Sequence, residues 1–286
     1  MKNAKRAYYG RPIIKPPEWS GLIPTYFWSG GWSGASAALG LVARLSKNER
    51  LARVTTLSAA VGSLLSAFCL IADLKKPQRF LNMLRVFKPT SPMSVGVYLF
   101  AAFSGAAMTA AASELTGIAR GVGRLGEGIA GLTGPLMSVY TSVLIGDTVV
   151  PAWHGARKTL PLLFAATSAS TASGLAMLVC ETRDAKPARR LALFSAVAVP
   201  VALERLRREL GPFQYEAYEA RKAAELSHAA RALNVLGCVF TLFARHRKAA
   251  KIAGVLLLAG GLAERFAVLH AGKISAQDPK FTIGPD

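Results

Sequence analysis

Few side chains in this sequence of 286 residues could do chemistry, and most of them sit at or near the ends of uncharged stretches. Asp73 closes one stretch, and Lys75, Lys76 and Arg79 follow it. Two readings are open: an acid paired with one of these bases at a helix end, or a proton acceptor at a membrane-edge cavity, where burial readily moves a carboxylate's pKa. Asp147 falls inside the mostly apolar stretch 128–153. A charge at midplane costs about 2.5–3.5 kcal/mol on insertion scales and needs a partner or a water path. Glu264 and Arg265 are neighbours within the last apolar stretch, as a structural ion pair or as part of the same proton path. Tyr140 lies one turn before Leu144, and its hydroxyl can donate to a ligand carbonyl or bond between helices. Tyr26, Phe27, Trp28 and Trp32 open the first stretch, as an interfacial aromatic belt or as the wall of a site for a flat apolar ligand.

Other chemistries find less support. Cys69, Cys180 and Cys238 are scattered with no CxxC, whereas an iron–sulfur cluster takes about four thiolates. The histidines are His154, His228, His246 and His270, and His246 lies among Arg245, Arg247 and Lys248, which suits a solvated ring. No metal or haem is expected on this chain, and no residue is assigned a catalytic role. Gly121, Gly123 and Gly126 fit GxGxxG, but no strand precedes them, so they read as a loop.

The elements that must carry these residues follow from composition. Hydrophobic residues make up 52% and charged residues 18%, against roughly 25% charged in an ordinary soluble domain. Mean hydropathy is +0.32. A disordered chain is excluded by the apolar content, and a disulfide scaffold by three cysteines. The net charge of +19 comes from bases clustered in short connectors between uncharged runs, which fits a membrane protein rather than nucleic-acid binding.

Five runs, 19–43, 54–72, 89–113, 128–146 and 159–180, hold 25, 19, 25, 19 and 22 residues without Asp, Glu, Lys or Arg. A helical span needs about 20 mostly apolar residues, and a barrel strand only about 10 with strict alternation. Three shorter runs, 191–203, 232–244 and 252–263, are flanked by bases such as Arg190, Arg205, Arg245 and Lys251 that can snorkel to the interface. The reading is an all-α integral membrane protein of about eight transmembrane helices. Residues 1–21 precede the membrane domain 22–272, an amphipathic insertion at about 204–227 covers helix ends or projects for docking, and 273–286 form a tail. Between the second and third spans, Phe80, Leu81, Met83 and Leu84 alternate with Arg79, Asn82 and Arg85, as in a short interfacial helix.

An even number of spans puts both termini on one face. The four loops on the other face, 44–53, 114–127, 181–190 and 245–251, carry 14 Lys and Arg, and such short basic loops predict termini facing outward. Residues 1–10 are polar and basic and carry no secretory signal, so the first span is expected to remain in the mature chain.

The stretch from Asp73-Leu74-Lys75-Lys76-Pro77 through Arg79-Phe80 and Asn82-Met83-Leu84 to Lys88-Pro89-Thr90-Ser91-Pro92-Met93-Ser94 resembles a loop of the NrfD/PsrC-like family. Those proteins are membrane subunits of polysulfide-reductase-type respiratory complexes, and their loop reads D-L-G-R-P…R-F…N-M-L…N-P-T-S-P-M-S. Here Lys75-Lys76 replaces Gly-Arg. Tyr26 to Gly34 is similar to the family's aromatic, glycine-rich first span. Tyr140-Thr141-Ser142-Val143-Leu144 with Pro151 and Trp153 resembles its Y-T-G-x-L…P-x-W segment, and Gly260 to Gly272 its last span. The resemblance covers nearly the whole chain.

It implies eight helices in two four-helix bundles, with a site for a membrane quinone (menaquinone or ubiquinone) at one membrane face. It implies an iron–sulfur ferredoxin-like partner, a molybdopterin-type catalytic subunit beyond it, and a bacterial or archaeal cytoplasmic membrane. By position, Tyr140 becomes the donor to a quinone carbonyl, with Tyr26, Asp73 and Arg79 beside it. Protons would pass through Asp73, Asp147, Glu264 and Arg265. The alternative is a proton-coupled transporter of a small molecule or ion, using Asp147 and the Glu264–Arg265 pair.

Overall fold

The computed structural model describes residues 12–283 apart from the Arg79 side chain, so residues 1–11 of the N-terminal segment and 284–286 of the tail lie outside the described residues. Among those described, the chain is helical throughout, with no strand. Eight helices have 20 residues or more: α1 (Leu22–Leu45), α2 (Glu49–Ala72), α3 (Pro92–Thr116), α4 (Arg120–Gly146), α6 (Leu160–Val179), α7 (Lys186–Tyr215), α8 (Arg221–Leu242) and α9 (Arg247–Gln277). Short helices α5 (Pro151–His154) and α10 (Lys280–Ile283), and 3-10 turns at Pro77–Leu84 and Glu216–Tyr218, fill the connections.

Local chemistry sets the boundaries. Asn48 caps α2 by accepting from the Leu51 amide at 3.2 Å, with Glu49 in the first turn against the helix dipole. Ser91 caps α3 ahead of Pro92, which suits a first helical position, and Gly117 ends α3 in the left-handed region. In α7, Gly211 (φ 65°, ψ 173°) breaks the helix just before Pro212. The residues beyond the break turn inward: Tyr215, Ala217 and Tyr218 are buried, and Phe213 packs on Phe281. The stretch expected as an insertion at about 204–227 is thus the end of α7, the 3-10 turn and the start of α8.

Among the described residues, five helices are long and apolar enough to cross a membrane: α2, α3, α4, α6 and α9. This differs from the five longest uncharged runs at two places. Helix α1 falls short in hydropathy because serine, glycine and tryptophan line its packed face, where Ser29, Ser33 and Ser36 are fully buried. Helix α9 qualifies because it continues unbroken through Glu264-Arg265, whose charges meet each other inside the protein.

Packing is organised around α1 and α6. Helix α1 lies on α2 and α4, and α3 lies on α4; in the same order, α6 lies on α7 and α9, and α8 lies on α9. Contacts of α1 with α6 and α9, and of α4 with α6, join the two sets. The crossings are made by small residues. A β-carbon at Gly34 would strike the Gly134 carbonyl and one at Gly134 the Gly34 carbonyl, while Ser138 Oγ donates to the Gly31 carbonyl at 3.0 Å. Where lipid surrounds the helices, such close backbone approach supplies the dispersion contacts that hold them together.

The short connections alternate the helix directions. The starts of α1, α3, α6 and α8 and the ends of α2, α4, α7 and α9 share one face, that of the described termini, here called the terminal face.

Candidate functional site

Tyr26 stands four residues into α1, and Tyr140 six residues before the end of α4. At 1.5 Å per residue both lie roughly 6–9 Å inside the terminal face. Their hydroxyls are 3.4 Å apart, at the outer limit of a hydrogen bond. Tyr26 is fully enclosed and meets Phe100 edge-on at 6.1 Å. Tyr140 is half-buried, and its ring occupies the space above Gly96 of α3, where any β-carbon would overlap ring atoms Cε2 and Cζ. Glycine at 96 is thus what lets α3 accept this ring. The phenols can each donate or accept one hydrogen bond, so the pair offers a polar point in an apolar wall.

The aromatic run in α1 is core rather than belt. Tyr26, Phe27 and Trp32 are all under 5% exposed. The reason is position: α1 is flanked by α2, α4, α6 and α9 and presents little surface to lipid. The indole nitrogens of Trp28 and Trp32 are buried with no hydrogen-bond partner among the described residues.

Asp73 follows α2 as its C-cap, and its Oδ1 accepts from the Ser20 amide (3.3 Å) and the Ser20 hydroxyl. It thereby holds the segment entering α1, and its described partner is Ser20 instead of Lys75 or Lys76. Lys75 reaches Glu18 at 3.3 Å, and Lys15 reaches it at 2.9 Å. These two ammonium groups hold the Glu18 carboxyl below the usual carboxylate range, Lys15 contributing most. Arg79 lies in the 3-10 turn Pro77–Leu84, and its side chain is outside the described residues. The loop folds back on α3: Tyr98 Oη donates to the Leu84 carbonyl at 2.8 Å, and Phe87 meets the Tyr98 ring edge-on at 5.0 Å. Leu81, Val86 and Phe87 remain exposed.

Asp147 is not inside a span. Helix α4 ends at Gly146, and Asp147 is its exposed C-cap. Pro151 opens α5 and holds Val150 extended, so the apolar stretch 128–153 turns at the terminal face. The turn brings distant motifs together. Trp153 is 1% exposed, donates from Nε1 to the Val268 carbonyl at 2.8 Å, and lies where a β-carbon on Gly272 would stand. Trp19 stacks on it at 5.3 Å, and Lys273 Nζ donates to the Trp19 carbonyl at 2.6 Å. Residues 19, 153 and 272 form one cluster at the same face as Tyr140 and Asp73.

Glu264 and Arg265 form an ion pair whose side chains are 6% and 2% exposed. Arg265 Nη1 also donates to Thr167 Oγ1 (2.8 Å), and Nη2 to the Phe164 carbonyl and Ser168 Oγ (both 3.1 Å). The guanidinium lies 3.6 Å from the Phe164 ring centre. A small cavity of about 30 Å³ adjoins Glu264 and is lined also by Tyr218, Arg231 and Asn234. Burial, with Glu264 and then Tyr215 nearby, pushes the Tyr218 hydroxyl far above the usual phenol range, so it stays protonated. The pair is separate from Asp73 and Asp147: it lies where α9 meets α6 and α1, while they cap helix ends.

One polar cluster escapes a reading based on uncharged runs. At the opposite face Arg44 bonds Glu127 (3.0 Å), Glu114 (3.0 Å) and Glu49, and Thr56 Oγ1 donates to Glu127 at 3.3 Å. Glu127 is 7% exposed, and a polar cavity of about 330 Å³ lies beside it. The signal was present: α4 begins eight residues before its uncharged run, so Glu127 belongs to the helix. Among the described residues, no three His, Cys, Asp or Glu side chains converge as metal ligands would.

Helices of this length and hydropathy, packed through small residues around buried ionisable groups, define a multi-pass helical membrane protein. The sequence profile of the polysulfide reductase family, NrfD type, matches residues 7–280. The chain belongs to that family, whose members are membrane subunits anchoring oxidoreductase complexes. No curated protein matches it.

Proposed function

We propose that this chain is the quinone-binding membrane subunit of a respiratory oxidoreductase complex, exchanging electrons with an iron–sulfur partner docked at the terminal face. The observation that carries the reading is the Tyr26–Tyr140 hydroxyl pair, set just inside the face where the 73–91 loop and the segment before α1 gather. Its donor set suits a carbonyl: Tyr140 is the half-buried member and donates to the ligand, while Tyr26 orients it from behind. A bound quinone supplies two-electron, two-proton redox chemistry. The chain's own residues bind, orient and exclude water, and Asp73 lies at the membrane edge where protons enter or leave. Arg79 belongs to the same loop. Asp147, at the surface of that face, and Glu264–Arg265, buried in the other half, serve the proton path at its outer and inner ends.

In this reading all eight long helices span the membrane, α1–α4 and α6–α9 as two four-helix bundles, with both termini outward. Residues 1–21 and 273–286 flank the membrane domain 22–272, and the segment at 204–227 caps it. The membrane is bacterial or archaeal and cytoplasmic, and a molybdopterin-type subunit lies beyond the iron–sulfur partner. The shared packing order of the two helix sets supports the bundles.

The test is Tyr140→Phe and Tyr26→Phe in the purified complex, reading quinone-linked turnover and subunit stoichiometry. Tyr140→Phe is expected to raise KM for quinone about tenfold, the order of one lost hydrogen bond, with assembly intact. Wild-type kinetics in both variants would remove the site. Purification of the chain without an iron–sulfur partner or quinone, under conditions that keep a control complex whole, would shift the reading to the proton-coupled transporter.

A further inference from the structure

Helices α7 and α8 touch only sparsely, and between them runs an apolar cleft of about 560 Å³. Its walls run from Leu193 to Arg207 on α7 and from Arg231 to Leu242 on α8. At 1.5 Å per residue these are about 21 and 16 Å long, roughly two-thirds and one-half of a hydrocarbon core about 30 Å thick. The polar end is built around one ring. The Arg207 guanidinium lies 5.8 Å from the centre of Tyr215, and Arg231 donates to the Tyr215 hydroxyl. Neither arginine meets a carboxylate among the described residues. Of the two acids at the cleft, Glu204 is held by Arg208 at 2.8 Å and Glu219 is exposed at the rim.

We propose that this cleft binds one membrane phospholipid, its phosphodiester bridging Arg207 and Arg231 and one acyl chain lying between α7 and α8. Two guanidiniums against one aromatic ring suit a phosphate, which takes forked, charge-assisted bonds from arginine. The depth of the cleft suits a chain from a single leaflet. Helix length gives an independent reason. The uncharged parts of α7 and α8, 191–203 and 232–242, have thirteen and eleven residues, about 20 and 16 Å, short of the hydrocarbon thickness. Such short spans are met by local thinning as well as by snorkelling flanks, and a phosphate drawn down to the arginine pair thins the bilayer there. The lipid also closes the cleft beside the cavity that adjoins Glu264, since Val199, Leu203, Tyr215, Arg231 and Asn234 line both. The inference rests on α7 and α8 being spans and is independent of the quinone site.

The full-length chain, purified with its partners and stripped of lipid, is offered phosphatidylglycerol, diacylglycerol or inorganic phosphate, and bound molecules are counted by native mass spectrometry. One phosphatidylglycerol is expected to be retained. Diacylglycerol and inorganic phosphate are expected to bind at least tenfold more weakly, and Arg207→Gln/Arg231→Gln to lose phosphatidylglycerol to the same degree while Arg207→Lys/Arg231→Lys keeps most of it. Equal retention of diacylglycerol, retention by inorganic phosphate alone, or quinone held in the cleft instead would overturn the proposal. In the wild-type chain, phosphatidylglycerol carrying a photoreactive acyl chain is expected to label Leu203 and Val239 within the cleft. Labels on the outward-facing Phe194 and Val197 but none in the cleft would leave the spans standing and remove the site. No label on either helix would remove both.

Discussion

The Glu264–Arg265 pair allows the sharpest test of how this fold tolerates charge within a membrane. Its side chains are 6% and 2% exposed, so neither ion recovers hydration if the other is removed. Arg265 keeps three further acceptors, Thr167 Oγ1, Ser168 Oγ and the Phe164 carbonyl, and the face of the Phe164 ring. Glu264→Gln therefore does not leave a bare cation; it removes the one carboxylate that Arg265 meets among the described residues. Breaking a buried pair on one side costs about 3–5 kcal/mol. Since three neutral acceptors stay in place, the lower end, about 3 kcal/mol, is expected. Arg265→Leu is worse, because Glu264 Oε1 has no described partner even with arginine present. The double variant Glu264→Leu/Arg265→Leu removes both charges and leaves Thr167 and Ser168 to bond their own helix, as Thr167 already does with the Leu163 carbonyl at 2.8 Å. It is expected to recover most of the loss. Thermal unfolding followed by size-exclusion chromatography reads this directly. Glu264→Gln should unfold lower by on the order of 10 °C, Arg265→Leu lower still, and the double variant within a few degrees of wild type. Additive losses, with the double variant the worst of the three, would refute the argument that mutual neutralisation is what keeps the pair inside α9.

Three further expectations follow from the packing. Gly96→Ala drives a β-carbon into the Tyr140 ring at an overpacking cost of about 1–3 kcal/mol; quinone-linked turnover should fall at least tenfold with the complex still assembled, and Gly105→Ala, at a position with open space, should change nothing. Arg44→Ala leaves Glu127 buried without its cation and should lower stability by about 3 kcal/mol, while Glu49→Ala, which removes only an exposed partner and leaves Arg44 paired with Glu114 and Glu127, should cost under 1 kcal/mol in the same unfolding assay. Trp153→Ala removes a fully buried indole, its bond to the Val268 carbonyl and the stack with Trp19, and should cost about 3–5 kcal/mol; proteolysis between Lys15 and Trp19 should then become fast, because the segment before α1 loses its anchor.

The helices were legible because lipid-facing segments must be apolar and their connectors need not be. Runs of 19 to 25 residues without charge located α1, α2, α3, α4 and α6, and the motif at 73–94 located the family. What the runs hid was where helices begin beyond them. Helix α4 extends back to Arg120, so Glu127 sits inside it, facing Arg44 from α1. A charge next to an apolar run looks like a loop residue until its partner on another helix is known. Asp147 erred in the opposite direction: the apolar residues after it belong to a turn stopped by Pro151, which a count of uncharged residues does not register. The Tyr26–Tyr140 pair needed three helices to be placed, since Gly96 of α3 is what seats the ring.

Hydropathy ranked α1 low for the same reason that makes it central. Along one face it carries Tyr26, Ser29, Ser33, Ser36 and Arg44, spaced by three, four, three and eight residues, the repeat of a helical stripe. Each has a partner across a helix contact: Tyr140, Ser66 at 2.7 Å, the Ala59 carbonyl at 2.5 Å, Ser58 at 3.2 Å and Glu127. In a helix exposed to lipid these groups would face hydrocarbon; here α2 and α4 cover them, so each hydroxyl costs little and fixes the rotation of α1. That rotation carries Tyr26 toward Tyr140 at one end and Arg44 toward three carboxylates at the other. The residues that weaken α1 as a span are therefore the ones that set the geometry of both polar sites in this half of the protein.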